Sequence, residues 1–313
     1  MTNERAFALI EKTPDVVCRR DVPLPTLCSF RTGGTADFVA EPLGPDAVKN
    51  VLAVCAETGT PYLILGNGSN VLFSDLGYDG VIIRTSRLKK ITVGGDTVRA
   101  GAGALLSAIS SRALSGSLTG FEFAEGIPGT LGGGIFMNAG AYGGELENVL
   151  ACVTVLDSET LEIKVLDAGE CGFGYRASRF QSGGEIVLSA DIVLKKGDAD
   201  AIKNEIGRLR NLRREKQPLR YPSAGSAFKR PAGDFAARLI DSCGLKGFSR
   251  GGAAVSEKHA GFVINRGGAT TADVVGVMDA VRKTVFEKTG VLLEPEIRYV
   301  PRGGEDIPDI FLV

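Results

Sequence analysis

A single histidine, His259, stands in this chain of 313 residues. A Ser-His-Asp hydrolase is therefore heavily constrained, and a metal site built from two or three histidines of one chain is excluded. The six cysteines, Cys18, Cys28, Cys55, Cys152, Cys171 and Cys243, contain no C-x-x-C pair, which speaks against a zinc site or a thioredoxin-like redox pair. Scattered in this way, they read as reduced core residues of a cytoplasmic protein. No stretch approaches about 18 consecutive apolar residues, so no membrane span is expected. The opening MTNERAFALIEK sets charges inside its apolar segment and offers no small-residue cleavage site, which argues against a signal peptide. A formal net charge of −1 supplies no global field to attract nucleic acid or an anionic membrane. The P-loop pattern G-x-x-x-x-G-K-[ST] occurs nowhere. The loop at Gly66 begins like G-x-G-x-x-G but carries Val71 at the sixth place, so the dinucleotide fingerprint fails as well.

What the chain does have is glycine in one place. Between Gly126 and Gly144 it reads GIPGTLGGGIFMNAGAYGG, eight glycines in a run without a charged side chain. Glycine loses the most conformational freedom on folding, so such a run is expected where main-chain N–H groups must approach a ligand closely. A flexible linker would favour serine and other polar residues, whereas Ile127, Leu131, Ile135, Phe136, Met137 and Tyr142 call for a packed interior. A second loop, GNGSN at residues 66–70, follows the apolar run Tyr62-Leu63-Ile64-Leu65, which reads as a buried strand. Two uncharged glycine-rich loops suit a long ligand with a pyrophosphate and a flat ring system, a description that FAD meets.

The rest of the chain alternates helix and strand signals. A helix is expected from Pro45 to Gly59, with Val48, Val51, Leu52 and Cys55 at helical spacing. Short strands are expected at residues 81–83, 91–93 and 97–100, a helix at 105–114, then strands at 152–156, 162–166 and 186–194. Residues 201–216 read as a helix with an apolar stripe of Ile202, Ile206, Leu209 and Leu212. Its Arg208, Arg210, Arg213, Arg214 and Lys216 read as a solvated face, since glutamates dilute them and no aromatic residues interleave. Thr270 or Thr271 caps a further helix that ends at Gly290. Residues 291–300 alternate as a strand, on an edge or passing an opening because Pro295 cannot donate to a ladder.

Three polar positions stand out for chemistry. Phe173-Gly174-Tyr175-Arg176 sets an arginine where it can grip a carboxylate or phosphate with two hydrogen bonds. The turn around Ser223 and Ser226 exposes one or two hydroxyls, and Glu294-Pro295-Glu296 offers two carboxylates. Spacing alone does not choose between the serines or between the glutamates.

A series of motifs runs in order along the chain: SFRTGGTAD (29–37), GNGSN (66–70), EGIPGT (125–130), MNAGAYG (137–143), FGYR (173–176), QPL (217–219), PSAGSAFK (222–229), GLKG (244–247), GGAAVS (251–256) and LEPE (293–296). With these, the chain resembles the UDP-N-acetylenolpyruvoylglucosamine reductase family, the MurB flavoenzymes of bacterial cell-wall synthesis, in its shorter form. The resemblance implies an α+β fold. Residues 1–200 would form a two-part FAD-binding region of the vanillyl-alcohol-oxidase (PCMH) type, with α/β subdomains at about 1–85 and 86–200. Residues 201–313 would form a smaller α/β domain for the UDP-sugar, its last strand returning to the active site. The implied cofactors are FAD and NADPH, and the implied substrate is UDP-N-acetylenolpyruvoylglucosamine. No metal, nucleic-acid or membrane partner is implied, and a cytoplasmic monomer is expected.

By the same resemblance, Arg176 is expected to stabilise charge developing on the substrate carboxylate, Glu296 to hydrogen-bond that carboxylate, and Ser226 to donate the proton. FAD is expected on Arg31, Thr32 and Gly33, on Gly66, Asn67, Gly68, Ser69 and Asn70, on Gly126, Ile127, Pro128, Gly129 and Thr130, and on Gly133, Asn138, Gly140 and Ala141. Tyr175, Lys229, Arg230 and His259 are expected to meet the substrate, with a structural role for His259 in the stretch Val255–Asn265 as the alternative. Asn67 and Arg230 depart from the family pattern, where glycine and asparagine are usual; asparagine tolerates positive φ and arginine still attracts a diphosphate. Two other readings remain: a different FAD oxidoreductase of the same fold, which would not need Arg176, Ser226 and Glu296, and a UDP-sugar-binding protein without catalysis.

Overall fold

The computed structural model describes residues 2–312. The amphipathic spacing at Pro45–Thr58 does produce a helix, with Ala47, Val48, Val51, Leu52 and Cys55 turned inward and Gly59 ending it at φ 64°. That helix and Thr2–Ile10 share one apolar core with Phe38, Ala40, Val81 and Ile83. Phe7 stacks on Phe38 with ring centres 4.6 Å apart. These residues cover a four-stranded sheet in the order Val16–Pro23, Thr35–Pro42, Tyr78–Arg84, Tyr62–Leu65. Its last pair is parallel, Tyr62 opposite Val81; the run Tyr62–Leu65 forms the expected strand but at the edge of the sheet, where only Leu65 is buried and Tyr62 is exposed.

A second, antiparallel sheet runs Ile163–Asp167, Leu150–Asp157, Glu185–Val193, Thr97–Gly101, Ile91–Gly94. Val98, Ala100, Val153, Val155, Ala190 and Ile192 face a core closed by Leu106, Ile109, Leu131 and Ile135. The last two belong to a short helix, Leu131–Phe136, inside the glycine-rich run. Gly132 and Gly134 allow that helix to lie close to its neighbours. A Cβ on Gly132 would come 3.0 Å from Ala102 Cβ, and one on Gly134 2.9 Å from Leu146 Cδ1.

The packing divides the chain into two compact units. The first comprises Met1–Arg19, Phe38–Asn67 and Gly80–Arg213; the second comprises Arg20–Asp37, Gly68–Asp79 and Arg214–Val313. In the second unit three short strands, Ser249–Arg250, Ala253–Val255 and Val263–Asn265, form an antiparallel sheet. The long helix Thr271–Thr289 packs there, buried through Val274, Val277, Met278, Val281 and Val285. Thr270 is its N-cap, accepting the Asp273 amide in a capping box, and Gly290 at φ 74° ends it. Asp75 reinforces that start: its carboxylate accepts the amides of Thr271 at 2.8 Å and Ala272 at 2.9 Å. The alternation at residues 291–300 yields a strand only at Arg298–Val300, parallel to Val71–Phe73. Pro295, lacking an N–H, limits the upstream part to a single bridge with Phe228.

Candidate functional site

In the first unit the two glycine-rich loops meet. The Asn67 amide nitrogen donates to the Pro128 carbonyl at 3.0 Å, so the position that departs from glycine ties one loop to the other. A Cβ at Gly66 would land on Thr130 Oγ1. That hydroxyl is buried without a hydrogen-bond partner among the described residues. Gly66, Asn67, Ser86, Lys89, Leu105 and Thr130 are among the residues lining a pocket of about 310 Å³. Gly129 is buried and its carbonyl accepts from Leu106 at 3.1 Å, whereas Gly126 and Pro128 are exposed and Ile127 packs partly on the core. An orphaned hydroxyl, a backbone kept bare of Cβ atoms and a narrow pocket form a cradle that fits a flat ligand with hydrogen-bonding edges, as FAD has.

Arg176 stands on a turn that the first unit holds in an uncommon conformation. Its φ is 53°, and Asn138 and Tyr142 also adopt positive φ, at 41° and 53°. Such strain in non-glycine residues persists only where the surroundings enforce it. Asn138 is fully buried; its amide donates to Gly174 O at 3.1 Å and accepts from the Glu147 amide at 3.1 Å. It therefore fixes the turn that carries Arg176, and its side chain is engaged within the protein. Gln181 donates to the Arg176 carbonyl at 3.0 Å. The Arg176 guanidinium lies 5.1 Å from the centre of the exposed Tyr175 ring and donates to Gly140 O at 3.3 Å. Gly140 and Ala141 pair with Glu145 and Gly144, and Gly133 lies exposed within its short helix.

Ser226 and Glu296 belong to the second unit, and main-chain pairing brings their segments together. The Glu296 amide donates to Ala227 O at 2.9 Å, and the Lys229 amide donates to Glu294 O at 2.8 Å. Asn70 then clamps the acid from its other side: its amide nitrogen donates to Glu296 O at 3.0 Å, and its carbonyl accepts from Arg298 at 3.0 Å. The Lys229 ammonium lies 3.3 Å from Glu294 Oε2, so the first glutamate of the motif is engaged with a lysine while the second stays half-buried. Arg230 lies over the Phe235 ring at 4.7 Å. In this unit the Ser29 amide donates to Gly68 O at 3.0 Å, and Arg31, at φ 56°, Thr32 and Gly33 follow in the same loop. Thr32 Oγ1 is another buried hydroxyl without a partner among the described residues. A Cβ on Gly33 would come 2.8 Å from Phe73 Cβ, and one on Gly68 would strike Leu27 O. Ser69 is half-buried beside it. His259 accepts the Gly261 amide on Nδ1 at 3.2 Å, and burial pushes its pKa below the usual histidine value.

One residue corrects the sequence reading. The helix Ala199–Lys216 is not simply solvated along its basic face, because Arg213 is only 7% exposed. Arg210 reaches the buried Glu125 carboxylate at 2.8 Å, beside the glycine-rich loop. The Arg213 guanidinium lies 5.2 Å from the centre of the Tyr142 ring, and a Cβ on Gly126 would come 2.8 Å from Arg213 Cδ. Its Nε and Nη2 are buried with no acceptor among the described residues, and burial lowers its pKa. Such donors call for a ligand's acceptors. The signal was present in the spacing, since Arg213 continues the inward stripe of Ile202, Ile206 and Leu209.

Among the described residues no helix is long and apolar enough to cross a membrane. A family model described as a FAD binding domain matches residues 36–164, and one described as the UDP-N-acetylenolpyruvoylglucosamine reductase C-terminal domain matches residues 217–300. A protein of Clostridium perfringens named UDP-N-acetylenolpyruvoylglucosamine reductase is 51% identical over 282 residues, covering 90% of this chain and 92% of that relative. One of Clostridium novyi with the same name is 46% identical over 97% of this chain and 98% of its own length. The crystal structure of the MurB reductase from Thermus caldophilus is similar with a TM-score of 0.78 and 32% identity, over 91% of this chain and 99% of that one. The α+β architecture, the FAD-domain match and these relatives agree, and the chain belongs to the UDP-N-acetylenolpyruvoylglucosamine reductase family.

Proposed function

We propose that this chain is an FAD-dependent oxidoreductase of peptidoglycan precursor synthesis that reduces UDP-N-acetylenolpyruvoylglucosamine to UDP-N-acetylmuramate, with NADPH as the reductant. The observation that carries the reading is the 2.9 Å bond from the Glu296 amide to Ala227 O. It pairs the main chain of Glu296 with that of the residue after Ser226, within the residues that match the reductase C-terminal model. The unpartnered Thr130 hydroxyl and the Arg213 Nε and Nη2 support the cofactor assignment, and they would hold FAD together with the main chain of Gly66, Asn67 and Gly126–Thr130.

When bound, FAD would supply the hydride-transfer chemistry, with NADPH as the reductant and the terminal carbon of the enolpyruvyl group as the acceptor. Addition there moves an electron pair towards the carboxylate. Arg176 stabilises the charge that develops only in the transition state, which is where binding energy accelerates a reaction. Glu296 shares a hydrogen bond with the same carboxylate, which requires a proton between the two acids. The Ser226 hydroxyl gives its proton to the carbon next to the carboxylate. A serine is a weak acid, but that carbon is a strong base at this stage. The resulting lactyl ether has gained one hydride and one proton. Lys229, Arg230 and Tyr175 are assigned to the UDP-sugar, with the two cationic side chains suited to its diphosphate; the substrate contact expected of His259 is not carried further, because its Nδ1 is engaged with the Gly261 amide.

The purified protein should carry a yellow flavin that NADPH bleaches without oxygen and that UDP-N-acetylenolpyruvoylglucosamine restores. Protein that neither contains nor binds a flavin would overturn the assignment. Bleaching without restoration by this sugar would leave a different oxidoreductase of the same fold.

A further inference from the structure

The only histidine of the chain grips the turn to which Ser226 is paired. Its ring is half-buried. Nδ1 accepts the Gly261 amide at 3.2 Å, and a Cβ on Gly261 would come 3.1 Å from the ring's Cε1, so the imidazole lies close against that residue. The ring also meets the Phe262 ring edge-on, with centres 4.9 Å apart at 74°. The turn is closed by its own main chain: Phe262 donates to His259 O at 3.0 Å and Ser256 donates to Phe262 O at 2.9 Å. Ser256 Oγ accepts the amides of Lys258 and His259, both at 3.2 Å. On its other side the same two-residue span carries the proton-donor segment. Ser226 forms an antiparallel bridge with Phe262, and Ala227 donates to Gly261 O at 2.8 Å.

We propose that His259 is a positioning residue for Ser226. Its neutral imidazole, accepting the Gly261 amide on Nδ1, holds the 256–262 turn in the register that aims the serine hydroxyl, and protonation of the ring releases that register. The step is simple in atoms: a proton added at Nδ1 turns an acceptor into a donor facing another donor, so the Gly261 N–H loses its partner. Burial favours the neutral ring against the opposing pull of the His259 main chain, and Lys246 adds to it from the loop after the helix Ala236–Ser242. Lys246 is itself paired with Asp241 at 2.6 Å. On the turn itself, Lys258 donates to Arg214 O at 2.6 Å, and Glu257 approaches Gly247.

The proposal rests on Ser226 as the proton donor, and its test separates the two. Reduced holoenzyme is mixed with UDP-N-acetylenolpyruvoylglucosamine in single turnovers from about pH 5 to pH 8, with NADPH reduction of the flavin as the internal control. For the wild type, reoxidation should slow as the pH falls through the His259 value, which burial holds below the usual histidine value, with flavin reduction unaffected over the same range. His259→Asn keeps an acceptor near the Nδ1 position but cannot take up a proton. It should reoxidise within a few-fold of the wild type at about pH 7.5 and lose the acid limb. His259→Gln sets its polar group near the Nε2 position instead and should reoxidise more slowly by about tenfold or more at every pH, with sugar affinity changed far less. An acid limb that persists in His259→Asn would overturn the proposal. So would rescue by His259→Gln rather than His259→Asn, which would mean a direct substrate contact through Nε2. Failure of the wild type to be reoxidised by this sugar would overturn the functional reading first, and the role of His259 with it.

Discussion

Replacing Arg213 with methionine should move stability and cofactor affinity in opposite directions. Arg213 is 7% exposed, and two of its guanidinium nitrogens are buried without an acceptor among the described residues. An unmade hydrogen bond of a buried donor costs about 1–3 kcal/mol, while the contact with the Tyr142 ring returns about 0.5–2 kcal/mol. Methionine keeps a flexible stem of similar length and brings no donor. The FAD-free variant should therefore be as stable as the wild type, or more stable by up to about 2 kcal/mol. On the proposed reading the donors meet the flavin's acceptors in the loaded protein, and hydrogen bonds from a charged group contribute about 1.5–3 kcal/mol. The variant's FAD affinity should accordingly fall about 10- to 150-fold. Urea unfolding of deflavinated protein reads the first quantity and fluorescence titration with FAD the second. A deflavinated variant less stable by more than about 2 kcal/mol that binds FAD as the wild type does would refute the reasoning, because Arg213 would then be a structural residue.

Two further outcomes follow from the geometry. Asp75→Ala removes both acceptors for the amides of Thr271 and Ala272. It should cost about 1–2 kcal/mol in thermal or urea unfolding; an unchanged midpoint would show that water or Thr270 caps that helix alone. Stability should also depend on pH in two separate windows. His259 titrates below the ordinary histidine value of 6.5 in the fold, so between its folded value and 6.5 the unfolded chain holds the extra proton. Stability therefore rises with pH across that window and is complete above it. Asp191, lowered by its bond to Arg99, and Asp273, lowered by the Thr270 amide, sit below the ordinary 3.8. Their contribution is present above that value and is lost as the pH falls through the folded values. Urea midpoints measured from about pH 3 to pH 8 should show both steps, and His259→Asn should remove the upper one; an upper step unchanged in that variant would assign it to other groups.

Local signals in the sequence were enough for much of the scaffold. The spacing of Val48, Val51, Leu52 and Cys55 with Gly59 after them specified a helix by its period, and the short apolar run Tyr62–Leu65 a strand by its length between Pro61 and Gly66. Residues 291–300 misled, since alternation describes where side chains face and not whether a partner strand lies alongside. Pro295 permitted only one bridge before Arg298–Val300 found Val71–Phe73. The strands Val16–Pro23 and Thr35–Pro42 carry mixed patterns and drew no expectation. The bare backbone at Gly66 and Gly126 was legible because only glycine concentrates in that way. Arg213 was not, because its charge argued for solvent more strongly than its place in the stripe argued for burial. The nearness of the Ser226 and Glu296 segments depends on pairing across about 70 residues of chain, which no local spacing encodes.

The central claim is a division of labour in which hydride comes through the flavin and the proton from Ser226. Ser226→Ala in the oxidative half-reaction tests it most directly, with each half-reaction followed by flavin absorbance. The account predicts that NADPH bleaches the variant's flavin at the wild-type rate and that UDP-N-acetylenolpyruvoylglucosamine restores it more slowly by about two to four orders of magnitude. Restoration near the wild-type rate would contradict the claim, for the proton would then come from another group.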